Sequence, residues 1–75
     1  MREKQLYGRQ IYIQTKDGRS SKLFYNLSRS PDESLADWKR IIAVADKDIS
    51  YAVYQEVWLD QDNVESYHDL DYYNL

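Results

Sequence analysis

The segment Ile49–Leu59 constrains the fold of this chain more than any other, because it predicts a strand with apolar side chains on both faces. Along the alternation of the strand, Tyr51 and Val53 share one face, whereas Tyr54 and Trp58 occupy the other. A strand of this kind lies in the middle of a sheet, pairs in a dimer, or presents one face to a partner.

A β-hairpin is predicted upstream, because residues 16–19 carry Asp-Gly between two segments of alternating apolar residues. Two registers compete. A two-residue loop pairs Ile11 with Phe24, whereas a three-residue loop with Gly18 in the left-handed region pairs Ile11 with Leu23. We favour the three-residue loop, because it gathers a face that can be buried. That face carries Ile11, Ile13, Leu23 and Tyr25.

A helix is predicted after the hairpin. Ser30 fits the N-cap, Pro31 fits the first turn, and Glu33 completes a capping box. The apolar residues that follow recur with a helical period: Leu35, Trp38, Ile41, Ile42 and Ala45. We expect the helix to end at residues 46–48.

These elements predict an α+β fold, a small single domain in which a β-hairpin is followed by one helix and a long third strand in a mainly antiparallel sheet (ββαβ). Strand order 2-1-3 would make the sheet fully antiparallel, and order 1-2-3 is the alternative. We expect the α+β domain to span residues 1–62. Residues 63–75 are expected to form an acidic, tyrosine-rich C-terminal tail or a short helix.

Charge is divided unevenly along the chain. Residues 1–29 carry seven Lys or Arg and two acids, whereas residues 48–75 carry seven acids and no Lys or Arg. The net charge of −3 therefore hides a basic beginning and an acidic end. Because solvated surfaces usually mix both signs, this division suggests a binding partner.

Catalysis, metal binding and cofactor binding are not expected. His68 is the single histidine, and the two glycines are too far apart for a phosphate-binding loop. Residues 60–65 alternate oxygen ligands but lack the central glycine and distant glutamate of a calcium loop. No apolar stretch approaches the roughly 20 residues of a membrane span. The lack of cysteine favours the cytoplasm.

One helix can cover only one face of the sheet, and we expect the face with Tyr54, Glu56 and Trp58 to stay exposed. Together with the acidic residues that follow, it predicts a partner-binding surface made of Tyr54, Glu56, Trp58, Asp60, Asp62, Glu65 and Tyr67. Carboxylates beside Tyr and Trp suit a basic site on a larger protein, including a site that normally holds nucleic acid. The predicted function is a small non-enzymatic inhibitor or decoy, and phages and mobile elements encode proteins of this class.

Two alternatives remain. The basic hairpin can bind nucleic acid through Lys16, Arg19 and Lys22, although a sequence pI of about 4.9 argues against a nucleic-acid-binding domain. The other alternative is a homodimer or larger homo-oligomer with a structural role, held by the second apolar face of the long strand.

Overall fold

The computed structural model of the chain describes residues 3–74, without the side chains of residues 46 and 47. Residues 1, 2 and 75, which the expected domain ranges include, lie outside the described residues. The elements in chain order are β1 (Gln5–Thr15), β2 (Ser20–Asn26), α1 (Pro31–Ala43), α2 (Ala45–Asp48), β3 (Ile49–Leu59) and β4 (Glu65–Asn74). Within the described part, no helix is long and apolar enough to cross a membrane.

The four strands form one antiparallel sheet in the order β2-β1-β3-β4. The α+β class is confirmed, but the ββαβ order is incomplete. Residues 65–74, expected in a tail or a short helix, form a fourth strand that pairs with β3. Tyrosines have a high strand propensity, and a helix here would leave the backbone groups along one edge of β3 without partners.

The β1–β2 hairpin has the three-residue register that we favoured. Ile11 pairs with Leu23, Arg9 pairs with Tyr25, and Gly18 adopts φ +90°. Ile11 and Tyr25 are buried, whereas Leu23 is 43% exposed on the edge strand β2. The predicted face is therefore buried at Ile11 and Tyr25 and exposed at Leu23.

The start of α1 is confirmed, with Ser30 as N-cap and Pro31 in the first turn. Ser30 Oγ accepts a hydrogen bond from the Asp32 N–H at 3.2 Å. The predicted capping box is not formed, because the Glu33 carboxylate pairs with Arg29. This ion pair lowers the pKa of Glu33 and draws its side chain away from the N-cap.

Trp38 holds α1 against the sheet. Its ring stacks on Tyr54 with 5.9 Å between ring centroids, and its Nε1–H donates to Asp71 Oδ2 at 3.0 Å. One turn earlier, Ser34 is 1% exposed and its Oγ lies 2.6 Å from the Tyr54 hydroxyl. Leu35, predicted on the buried stripe, is instead exposed, because Ser34 and Trp38 are four residues apart and turn their shared side to the sheet.

The sheet has two unequal faces. The helix side is the face covered by α1 and α2, and its core contains Ile11, Tyr25, Trp38, Ala45, Ile49, Ala52 and Tyr54. The open face is the opposite one, on which aromatic rings take the place of a helix. By register and ring contacts it carries Tyr7, Tyr12, Phe24, Tyr51, Tyr67 and Tyr72. Val53 and Val57 lie among these rings and are 3% and 0% exposed.

Gly8 is the position where β1 leaves no room for a side chain. A Cβ there would stand 2.5 Å from the Tyr25 carbonyl oxygen and 2.6 Å from Phe24 Cζ. Because the carbonyl belongs to the backbone of β2, we expect Gly8→Ala to lower the free energy of unfolding by about 1–3 kcal/mol. Urea denaturation measures this change. Gln14→Ala, at an exposed position of the same strand, is the control, and an equal loss in both variants would contradict the steric explanation.

Ionisation of the Tyr25 hydroxyl makes the free energy of unfolding depend on pH in the alkaline range. Burial and the 2.8 Å hydrogen bond that its hydroxyl donates to Asp37 raise the pKa of Tyr25 from 10.0 to about 12. Between these values the unfolded chain loses this proton while the folded chain keeps it, so the free energy of unfolding falls as pH rises. Urea denaturation at a series of pH values should show this slope.

The matched variants are Tyr25→Phe and Tyr72→Phe. Tyr25→Phe should flatten the slope above about pH 10, because the group that titrates is gone. Tyr72→Phe changes an exposed tyrosine and should keep the wild-type slope. The same slope in both variants would mean that Tyr25 is not the group responsible.

Candidate protein-binding surface

Six of the seven predicted partner-binding residues surround the turn between β3 and β4. Trp58 pairs with Ser66 and Leu59 pairs with Glu65, and residues 60–64 close the turn. We call residues 56–68 the hairpin tip. The six residues that it brings together are Glu56, Trp58, Asp60, Asp62, Glu65 and Tyr67.

Tyr54 is not part of this surface, and the expectation that its face stays exposed is wrong. Tyr54 is 5% exposed, because Trp38 stacks on its ring and Ser34 contacts its hydroxyl. Ala52, two residues before Tyr54 on the same face, is fully buried in the same core cluster. The helix α1 covers only part of this face. Glu56 and Trp58 follow Tyr54 on the same face and lie outside the core cluster.

On the helix side of the hairpin tip, Glu56 and Trp58 are half-buried and bonded to each other. The Trp58 Nε1–H donates to Glu56 Oε1 at 3.2 Å. They share a shallow groove of about 370 Å³ with Lys4, Ser66, Tyr67 and His68. A second hollow of about 290 Å³ lies between residues 3–7 and the turn. The tip therefore offers two depressions that a partner's side chains can enter.

On the open face of the hairpin tip, Glu65 and Tyr67 are exposed. The Tyr67 hydroxyl donates to Glu65 Oε1 at 2.9 Å, and this bond raises the pKa of Tyr67. The ring of Tyr67 is 49% exposed. The predicted surface thus exists as two sides of one hairpin end, with Trp58 on one side and Tyr67 on the other.

Asp60 shapes the turn. Its Oδ1 accepts hydrogen bonds from the N–H groups of Asp62 at 2.8 Å and Val64 at 3.0 Å. The turn also requires Asn63 at φ 60°, a conformation that asparagine tolerates better than most residues. Asp60 therefore organises the backbone that presents the exposed Asp62.

The residues predicted for nucleic-acid binding do not form one free basic patch. Lys16 and Arg19 lie in the β1–β2 turn, at the end of the sheet opposite to the hairpin tip. The Arg19 guanidinium pairs with Asp17 at 2.9 Å, and the Thr15 and Arg19 contacts lower the pKa of Asp17. Lys22 lies on the open face, in the strand beside Tyr12.

The sequence interpretation did not join the aromatic residues of the open face into one surface. The alternation in the hairpin already placed Tyr12 and Phe24 on the side away from Ile11. What was missing was Tyr72, which joins this face only because residues 65–74 form a strand. The sequence interpretation also expected the helix on the other face of the sheet, and the position of the helix decides which face remains uncovered.

Comparisons with protein-family models, with curated proteins and with solved structures find no match for this chain. Among the side chains that the structure describes, no three His, Asp or Glu converge to hold a metal ion. Function is therefore inferred from the geometry and charge of this surface alone.

We expect the side chain of Asp60 to stabilise the hairpin tip. Asp60→Ala removes the acceptor for two backbone N–H groups and should lower the free energy of unfolding by about 1–2 kcal/mol. Asp60→Asn keeps an acceptor oxygen and should lose less than Asp60→Ala. Urea denaturation distinguishes them, and an equal loss would show that the charge of Asp60, rather than its hydrogen bonds, is what matters.

Proposed function

We propose that the protein is a non-enzymatic binding protein that docks its acidic hairpin tip onto a basic site of a larger protein. One observation carries the proposal: Glu56, Trp58, Asp60, Asp62, Glu65 and Tyr67 meet at one end of the sheet, outside the core cluster under α1 and α2. A protein of this kind acts as an inhibitor or decoy, because it occupies a site that another ligand needs.

The charge of the hairpin tip supports a basic partner. From Asp48 onward the chain has no Lys or Arg, so β3, the turn and β4 present only carboxylates as full charges. Lys4 in the groove contributes one cation beside Glu56. An acidic projection is attracted to a basic cleft over about a Debye length, which raises the rate of association.

The aromatic residues of the tip support a protein partner. Trp and Tyr are enriched among residues that dominate interface energies, because they bury large areas with few rotatable bonds. Trp58 and Tyr67 stand on opposite sides of the same hairpin end, so a cleft that receives the tip contacts both. A partner site that normally holds nucleic acid combines the basic charge and apolar faces that these residues match.

The reducing environment of the cytoplasm is where we propose that the protein works, because the chain has no cysteine. The alternative of nucleic-acid binding through Lys16, Arg19 and Lys22 is less well supported. Arg19 is paired with Asp17, and the acidic tip lies on the same sheet. A phosphate backbone would be repelled by that tip unless it faced away.

The test starts with the wild-type protein as bait in a lysate of the cells that produce it, followed by identification and purification of the retained protein. We expect Asp62→Asn/Glu65→Gln to slow association with that protein about tenfold at low salt, since two steering charges are lost. Surface plasmon resonance at two salt concentrations measures the rate. Asp32→Asn/Asp48→Asn removes the same charge at exposed helical positions and is the control.

Three results would contradict the proposal. One is equal association rates for the two double variants, which would remove the hairpin tip from the interface. Another is a rate that ignores salt, since steering between charges is screened by ions. The third is retardation of an oligonucleotide that is lost in Lys16→Ala/Arg19→Ala/Lys22→Ala, which would support the basic hairpin instead.

A further inference from the structure

The open face leaves large aromatic side chains in solvent. Tyr7, Phe24 and Tyr72 are 46%, 40% and 66% exposed, and the ring of Tyr7 lies 5.1 Å from that of Phe24. Tyr12 and Tyr51 form a second pair, with 6.2 Å between ring centroids. Several exposed aromatic rings on one face of a sheet point to an interaction site.

The polar residues of the open face are arranged with opposite charges at opposite edges. Lys22 lies on the edge strand β2, and Asp69 lies on the edge strand β4. Between them, Gln10 Nε2 donates to Gln55 Oε1 at 3.3 Å, and Gln55 Nε2 donates to Asp69 Oδ1 at 2.8 Å. The face is therefore basic at one edge, neutral and hydrogen-bonded in the middle, and acidic at the other edge.

We propose that the open face packs against the open face of a second copy of this chain, around a two-fold axis parallel to the strands. This rotation places β2 of one copy over β4 of the other and β1 over β3. Lys22, Tyr12, Val53 and Tyr72 form one row of cross-strand partners, so Lys22 comes next to Tyr72 and Asp69 of the second copy. The contacts are a cation over a ring and an ion pair, each made twice.

The charges at the two edges of the sheet, Lys22 and Asp69, favour this axis. A two-fold axis perpendicular to the strands would place β2 over β2 of the second copy and β4 over its β4. Lys22 would then lie near Lys22 of the second copy, and Asp69 would lie near its Asp69. Like charges across an interface cost several kcal/mol, so that arrangement is disfavoured. The acidic edge also disfavours a nucleic acid as the occupant of the face, because phosphates would lie beside Asp69.

The size of the face suits a dimer. Two packed sheets stand about 10 Å apart with strand directions within about 30°, which lets side chains of both inner faces interdigitate. Aromatic side chains bury about 150–250 Å² each, and a standard interface buries about 800 Å² per partner. The six rings of the open face, each partly exposed or half-buried, supply the greater part of such an area. Burial on this scale also stabilises a chain of 75 residues, which has little core of its own.

Sedimentation equilibrium of the full chain tests the proposal, with circular dichroism to confirm that each variant is folded. The wild-type protein should show twice its 9.0 kDa mass at high concentration. Lys22→Glu and Asp69→Lys should each weaken dimerisation about tenfold or more, because each sets like charges against each other. The double variant Lys22→Glu/Asp69→Lys restores opposite charges and should recover most of the affinity.

Two further variants serve as a control and as an independent test of the interface. Lys39→Glu makes the same charge change on the exposed side of α1 and should leave dimerisation unchanged. Tyr72→Ser removes an exposed ring without touching the core and should weaken the dimer. Failure of the double variant to recover affinity would overturn the two-fold arrangement.

A monomeric wild-type protein at millimolar concentration would overturn the proposal altogether. So would a dimer that Tyr72→Ser and Lys22→Glu leave intact. If the wild-type protein is monomeric and Tyr72→Ser loses a partner protein that Asp62→Asn/Glu65→Gln retains, the open face binds that partner instead, and the second copy is excluded. Tyr67 lies on both surfaces, but the dimer test changes Lys22, Asp69 and Tyr72, which lie outside residues 56–68, so its outcomes are separate from those for the proposed function.

Discussion

The stack of Trp38 on Tyr54 is the contact from which the rest of this structure follows. A chain with one substantial helix can cover part of one face of a four-stranded sheet, and this stack fixes which part. Ser34 adds a contact with the Tyr54 hydroxyl, and the Trp38 indole donates to Asp71 on β4. One side chain thereby joins the helix to a central strand and also to the last strand, which is paired with β3 along its length.

Two uncovered surfaces result, and they differ in chemistry. The hairpin tip lies past the core that Trp38 organises, and it gathers carboxylates with Trp58 and Tyr67. The open face lies behind the sheet and combines aromatic rings with Lys22 at one edge and Asp69 at the other. The uneven division of charge along the chain thus becomes a division in space, with the basic β1–β2 turn and the acidic β3–β4 turn at opposite ends of the sheet.

Local signals in the sequence predicted local structure well. Asp-Gly with a left-handed Gly18, Ser30 before Pro31, and the alternation of Ile49–Leu59 each depend on neighbours within a few residues. The turn, the start of α1 and β3 form where expected, whereas α1 ends at Ala43, before the expected end at residues 46–48, and a short α2 follows. The chain's strands also follow the expected antiparallel order, extended by β4. These features depend on backbone geometry, which short-range sequence patterns determine.

The errors concern how the elements pack and pair with one another. The helix could pack on either face of β3. It packs on the face of Tyr54, where Ser34 and Trp38 contact that side chain, and helical periodicity alone does not specify these contacts. Residues 65–74 form a strand because they pair with the edge of β3 across the turn at residues 60–64, whereas the sequence interpretation predicted a tail or a short helix. Because both choices were missed, Tyr54 was assigned to the surface and Tyr72 was not recognised as part of one.

The acidic, tyrosine-rich segment forms β4, one of the two edge strands of the sheet, and supports the hairpin tip. Site-resolved hydrogen exchange of the β4 amides tests this central claim most directly. Amides of β4 that pair with β3 should exchange far more slowly than amides of the turn at residues 60–64, and with protection approaching that of β3. Exchange of all amides in residues 65–74 at the rate of an unstructured chain would contradict the account, because the surface built on this strand would not exist.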